Sequence, residues 1–175
     1  MRCAIAPRWK IALTAAETGH LVLSTLHTID AGQTIGRILG MFDLDEGKQI
    51  RARLSDTMRY VVSQRLVPRT DGGRQLILEI LGHNLRTREA ILLGEEEGRT
   101  FYEIIESNET FGWVTFDKSV LSAYKAELIT EDTANLYATK KGVIARQIDL
   151  IKKSRGDALE QTSGLRLDSI SSARR

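Results

Sequence analysis

The sequence predicts an α/β unit followed by a small all-helical region, and three observations predict it. His20 to Leu26 (HLVLSTL) opens with an uninterrupted apolar run, the pattern of a strand covered on both faces as in a parallel sheet. Two further strand-like runs, Leu66 to Arg69 and Arg74 to Leu81, flank the turn-forming Asp71-Gly72-Gly73. Beyond Asn84 the apolar residues recur at helical spacings instead.

Taken in order, Ile11 to Thr18 (IALTAAET) is rich in helix formers, and Gly19 behind it most readily takes the left-handed conformation that closes a helix. The strand run follows. Asp30 can cap a helix reaching about Met41, and Ile50, Leu54, Met58 and Val61 predict another from Glu46 to Ser63; both are expected to lie on the sheet. Pro68 confines its strand to an edge or a strand end, so the hairpin belongs at the sheet margin. Thr100 with Glu103 fits a capping box ahead of the stripe Phe101, Ile104 and Ile105. Phe116, Val120, Leu121 and Tyr124 form the next stripe, Thr130 with Glu131 and Asp132 starts a further helix, and Ile144, Ile148 and Ile151 continue the pattern. Four or five helices should thus follow the sheet. From Ser154 to Arg175 the apolar period fails, and a stretch dominated by Ser, Arg, Gly and Asp cannot offset the entropy of ordering, so disorder is expected there.

Composition excludes several function classes. Apolar residues make up 42% and charged residues 27%, as in ordinary globular domains. The 25 basic and 23 acidic residues leave a net charge of +2, too little bias to make nucleic acid the expected partner. Cys3 is the single cysteine, which rules out an internal disulfide or a thiolate metal site and fits a reducing compartment such as the cytoplasm. No run approaches the roughly 18–20 apolar residues of a membrane span, so membrane association is expected through a partner and not by insertion. His20 and His27 invite a metal reading, but seven residues of extended strand would hold them roughly 23 Å apart and, by odd spacing, on opposite faces. No metal site is expected.

The stretch Ala15 to Thr28 (AAETGHLVLSTLHT) resembles the histidine box of the secretion and type IV pilus motor ATPases, a long and specific motif. The resemblance continues through Ser63-Gln64-Arg65-Leu66-Val67, through Gly72-Gly73-Arg74 leading to Glu79-Ile80-Leu81, and through Lys140-Lys141-Gly142-Val143. It covers about residues 10 to 153 and is nearest to the twitching-motility (PilT-type) retraction branch. What the resemblance implies is the carboxy-terminal half of such a protein: a partial RecA-like ATPase domain over residues 10–83, a helical subdomain over 84–153, a poorly matching start over 1–9 and the tail 154–175. It further implies a cytoplasmic homo-hexamer, peripheral to the inner membrane through a pilus platform protein, that uses ATP and magnesium to retract a pilus.

Two departures bear on activity. No G-x-x-x-x-G-K-[ST] loop occurs in the sequence, and without its backbone amides the phosphates lack their cradle. The family's G-E-M-R-D segment, which holds the Walker B acid, is absent where this chain reads Met1 to Pro7 (MRCAIAP). The abrupt fading of the match before about Trp9 suggests a truncated gene, a frameshift or a misplaced start. The chain alone is therefore expected neither to bind nucleotide nor to hydrolyse ATP, since phosphoryl transfer depends on that electrostatic stabilisation. The alternative from another class is a non-catalytic interaction module that caps or regulates full-length motor subunits.

The resemblance nominates His27 and His20 as catalytic residues and Thr25, Thr28 and Glu17 as cofactor-binding ones. His27 falls at the carboxyl end of the predicted strand, where open α/β sheets bind ligands, and would approach the γ-phosphate as a sensor or hydrogen-bond donor. Against this, it could simply end the strand, His20 could orient the helix-to-strand turn, the threonines could be packing groups and Glu17 could solvate a helix end. Glu79 ends a run that imitates a Walker B strand but follows the histidine box, so it is expected to pair with an arginine or cap a loop. His83 is expected in a loop. Leu85 to Leu92 only approximates the A-I-R-N-L-I helix of retraction motors, which leaves extension as a rival direction of force. The basic cluster Lys140, Lys141, Arg146, Lys152, Lys153 and Arg155 is expected to be a solvated face, or else a surface for an acidic partner or membrane.

Overall fold

The computed structural model describes residues 6–155. Helix α1 (Ala6–Glu17) is followed by α2 (Ala31–Leu39) and α3 (Leu44–Thr57), then by strands β1 (Val61–Pro68) and β2 (Arg74–Leu81). Helices α4 (Leu85–Leu93), α5 (Phe101–Glu106), α6 (Phe116–Lys125), α7 (Glu131–Tyr137) and α8 (Lys141–Arg155) complete the order, with a 3-10 turn at Glu109–Phe111. The expected disordered tail, apart from Ser154 and Arg155 at the end of α8, lies outside the described residues, as do Cys3 and most of the poorly matching start. Among the described residues no helix is long and apolar enough to cross a membrane.

The hairpin forms as expected, and β1 is longer than expected. Its antiparallel register runs from Val61↔Leu81 to Pro68↔Arg74, and both glycines of the turn have the positive φ (+90 and +80) that only glycine adopts freely. Alternation buries Ser63, Val67, Ile77, Glu79 and Leu81 on one face. Val114 adds a short bridge to Ile80, and Trp113 beside it lies so close to Gly82 that any side chain there would meet the indole at 2.3 Å.

The caps read from sequence are in place. Asp30 accepts from the Gln33 N–H at 2.7 Å, Thr100 and Glu103 form the complete capping box, and Thr130 caps α7; Thr115, which the sequence reading did not name, caps α6. Two expectations need correction. The helix predicted to Ser63 ends at Thr57, where Met58 turns extended, and Val61 opens β1. Val61 packs against the same core as Ile50 and Leu54, so its apolar character continued the helical period by coincidence, while the β-branched Val61-Val62 pair favours strand. Nor does α3 lie on the sheet: α2 packs on the hairpin, whereas α3 packs on α1 and α4.

The larger correction concerns His20 to Leu26. The segment is irregular, and Leu21 and Leu23 are 86% and 87% exposed. A strand needs a neighbouring strand to take its backbone hydrogen bonds, and among the described residues the hairpin pairs only with itself and with Val114. An apolar run reports a wish for burial and not the presence of a partner.

Two cores result. The first gathers Leu13, Ile35, Ile38, Ile50, Leu54, Leu81, Ile91, Ile104, Ile105 and Trp113; the second gathers Val67, Ile77, Phe116, Val120, Ile129, Ile144 and Ile148. Helices α4 and α5 pack into the first core, and the helices of the second begin with Phe116.

Candidate functional site

The site is built around residues 18–30, which link α1 to α2. At the upstream end the helix closes with a full Schellman arrangement: the His20 N–H donates to the Ala15 carbonyl at 3.0 Å and the Gly19 N–H to the Ala16 carbonyl at 3.1 Å, with Gly19 at φ +89. The downstream end is held by side chains. Arg37 donates to the His27 carbonyl at 2.9 Å, the Thr28 and Thr34 hydroxyls bond at 2.6 Å, and Arg65 donates to the Ile29 carbonyl at 3.0 Å. Glu79 receives the Ala31 N–H at 2.8 Å, so it caps α2.

Between these ends an open cleft of about 350 Å³ is lined by Arg8, Trp9 and Ala12 of α1, Ser24 to His27 of the segment, and Arg37 and Met41. It thus brings His27 and Thr25 together with two guanidinium groups that the sequence reading had not singled out. Such a set suits the oxygens of an anion such as a phosphate, whose charge arginine and histidine donors match. Among the described residues no carboxylate lines the cleft, so the residues that line it do not fit a magnesium ion, which takes oxygen ligands. Nothing in the sequence marked Arg8, and Arg37 sits in the last turn of α2, where a cation is expected for the helix dipole alone.

The remaining nominated residues lie elsewhere. His20 lines a separate shallow concavity with Lys10, Ile11, Thr14, Ala15 and Thr18, and its Nδ1 is 3.0 Å from the Thr18 hydroxyl. Glu17 is engaged by Arg53 in a two-point pair (2.5 and 2.8 Å), whose hydrogen bonds hold its carboxyl below the usual range. Arg53 also reaches the Thr14 hydroxyl, so the pair fastens α1 to α3. Thr28 is turned to α2 through Thr34.

Glu79 is 4% exposed, and burial raises its pKa, with Asp30 and Asp117 adding to the rise and the Ala31 N–H and Arg65 opposing it. Asp117, also buried, accepts from the Thr139 N–H at 2.6 Å, the Lys140 N–H at 2.9 Å and the Tyr102 hydroxyl at 2.8 Å, which fastens the approach to α8. Desolvation first, and then Asp117, pushes the Tyr102 hydroxyl well above its ordinary value. His83 lies in a loop, as expected, with Nε2 2.7 Å from the Ser55 carbonyl. In the basic cluster Lys140, Lys152 and Arg155 pair with Glu106, Glu131 and Glu127, while Lys141, Arg146 and Lys153 are exposed.

The type II/IV secretion system protein family matches residues 6–91, which include the whole segment and the hairpin. The chain is 35% identical over 125 residues to the type IV pilus retraction ATPase PilT of Pseudomonas aeruginosa, covering 71% of this chain and 36% of that protein. It is 38% identical over 125 residues to a twitching motility protein of Neisseria gonorrhoeae, covering 71% of this chain and 33% of the other. Against the type IV pilus ATPase PilU of Pseudomonas aeruginosa the identity is 33% over 159 residues, covering 90% of this chain and 41% of PilU. The crystal structure of the pilus retraction motor PilT with bound ADP superposes with a TM-score of 0.63 at 35% identity, covering 79% of this chain and 38% of that one. The chain therefore spans a third to two-fifths of the length of these relatives. By sequence and by fold it belongs with the type II/IV secretion system proteins, as a partial-length relative of the pilus retraction ATPases.

Proposed function

We propose that this chain is the histidine-box and helical portion of an ATP-driven pilus motor, which in its intact form is a cytoplasmic homo-hexamer that bears on an inner-membrane platform protein and drives retraction and twitching motility. The observation that carries the reading is the position of the matched box: its Thr25 and His27 line one cleft with Arg8 and Arg37. In this reading His27 meets the terminal phosphate of ATP as a hydrogen-bond donor or sensor, Thr25 lies beside it, and the two arginines supply positive charge. His20, Thr28 and Glu17 hold the segment from its flanks. ATP supplies the transferable phosphoryl group, and the cradling loop and the carboxylate that holds magnesium come from the part of the motor that this sequence lacks. Alone, the chain does not turn over ATP.

A second reading is favoured by the closed second core, which can remain folded while the helical face docks on full-length motor subunits and regulates them. One experiment separates the two. The purified chain is mixed with the P-loop half of the Pseudomonas retraction ATPase, and association and phosphate release are both followed. Association with ATP hydrolysis that His27→Ala abolishes supports the motor reading. Association without hydrolysis supports the regulatory module, and absence of association overturns both.

A further inference from the structure

The inner face of the hairpin is charged at the place where the two cores meet. Val61 and Leu81 at one end belong with the first core, and Val67 and Ile77 at the other end with the second. Between them lie Arg65 and Glu79, diagonal neighbours in a register that pairs Ser63 with Glu79 and Arg65 with Ile77. Keeping charge in such a seam is costly unless each group is well bonded. Asp30 serves the Gln33 N–H of α2, and Glu79 serves a different one, that of Ala31.

The bonding of the two groups converges on one short stretch. Glu79 holds the Ala31 N–H at 2.8 Å, and Arg65 holds the Ile29 carbonyl at 3.0 Å, so a carboxylate and a guanidinium grip opposite backbone polarities two residues apart. The other arm of Arg65 donates to the Tyr137 carbonyl at the last turn of α7 at 3.2 Å, and its guanidinium lies 3.7 Å from the centre of the Phe116 ring. One side chain thus touches the exit of the histidine segment, the end of α7 and the first aromatic of the second core.

We propose that Arg65 and Glu79 are positioning residues for the histidine segment, and that Arg65 ties the setting of His27 to the second core through Tyr137 and Phe116. A movement of the segment at the cleft then cannot leave α7 unchanged, because the same guanidinium serves both carbonyls. The purpose of the tie rests on the nucleotide-facing role proposed above for His27; the contacts do not. Lysine cannot replace this arginine fully, since one ammonium lacks the planar fork that spans two acceptors over a ring.

The test is amide hydrogen exchange on the full chain without nucleotide or partner, comparing wild type with Arg65→Met, Arg65→Lys and the control Arg53→Gln, together with the NMR resonances of the His27 ring. Arg65→Met should speed exchange about tenfold or more both in residues 27–34 and in residues 137–141, the size expected when a hydrogen bond from a charged donor is lost. It should also shift the His27 ring resonances, with Arg65→Lys intermediate. Arg53→Gln, which unfastens α1 from α3, should leave residues 137–141 unchanged. A rise in only one stretch, an unmoved His27 ring or a uniform rise that includes the middle of α8 overturns the proposal. Should Arg65→Met not fold, Arg65→Lys decides by the same criteria. No ATP enters this test, so its outcome stands apart from the mixing experiment on the motor reading.

Discussion

The core around Phe116 and the core around Ile35 differ in what finishes them. Caps from the helix's own flank are common to both, Asp30 and Thr100 serving helices of the first core and Thr115 and Thr130 serving α6 and α7. Around Phe116 the buried Asp117, 22 residues upstream of Thr139, also receives the backbone N–H groups leading into α8. Exposed apolar residues there, such as Leu136, Val143 and Leu150, stand singly, as on any soluble surface. The core around Ile35 instead adjoins the histidine segment, where Leu21, Val22 and Leu23 are exposed in succession. Helices capped by their own flanks complete themselves within a short chain, whereas a strand-like run depends on partners distant in sequence, and a partial-length chain shows the contrast directly.

If the second core is the self-contained one, breaking it should give the largest effect. Phe116→Ala is expected to destabilise by about 3–5 kcal/mol, because it empties a site 1% exposed and removes the ring under Arg65. Urea unfolding would measure it, and a cost below about 1 kcal/mol would put the stabilising weight elsewhere. Asp117→Ala comes next, at about 3 kcal/mol, because it strands the Thr139 and Lys140 N–H groups and the Tyr102 hydroxyl. Asp117→Asn, which keeps an acceptor, should cost less.

Glu79 sharpens the comparison by pH, since it lies in the seam between the two cores. Its folded pKa is raised from the ordinary value of 4.5. A carboxyl shifted upward contributes stability that is fully present below its unfolded pKa and is lost as pH rises through the folded value. Glu79→Gln keeps the oxygen that accepts from Ala31 but cannot ionise. The variant should therefore gain on wild type as pH climbs from about 4 towards neutrality, as read from urea midpoints. A difference that is flat with pH would mean that the seam is open to water.

What the sequence disclosed follows the same division. The box at Thr100, the stripe Phe116, Val120 and Tyr124, the Ile144 and Ile148 pair and the Asp71-Gly72-Gly73 turn were legible because each is decided within a few residues. The strand expected at His20 to Leu26 was not delivered, and the boundary between α3 and β1 was misplaced, because both depend on what packs from afar. The site was legible only in part. His27 and Thr25 could be named from their motif, but Arg8 and Arg37 enter the cleft through helix packing that no local pattern reports. Glu79 was expected to pair with an arginine or cap a loop; it caps a helix 48 residues away in sequence.

The smallest expected effect tests the comparison most directly. Leu21→Ser and Leu23→Ser alter side chains that are 86% and 87% exposed, so each should change stability by no more than about 0.5 kcal/mol. Leu13→Ser, at a site 4% exposed in the same half, should cost about 2–5 kcal/mol, since it both empties and polarises a buried site. The exposed leucines should show instead in association: an uncovered apolar run favours self-assembly, so the double variant should sediment as a smaller species than wild type at equal concentration. If Leu23→Ser alone costs 2 kcal/mol or more, the segment is covered in solution. The first core would then be as complete as the second, and the contrast between them would fail.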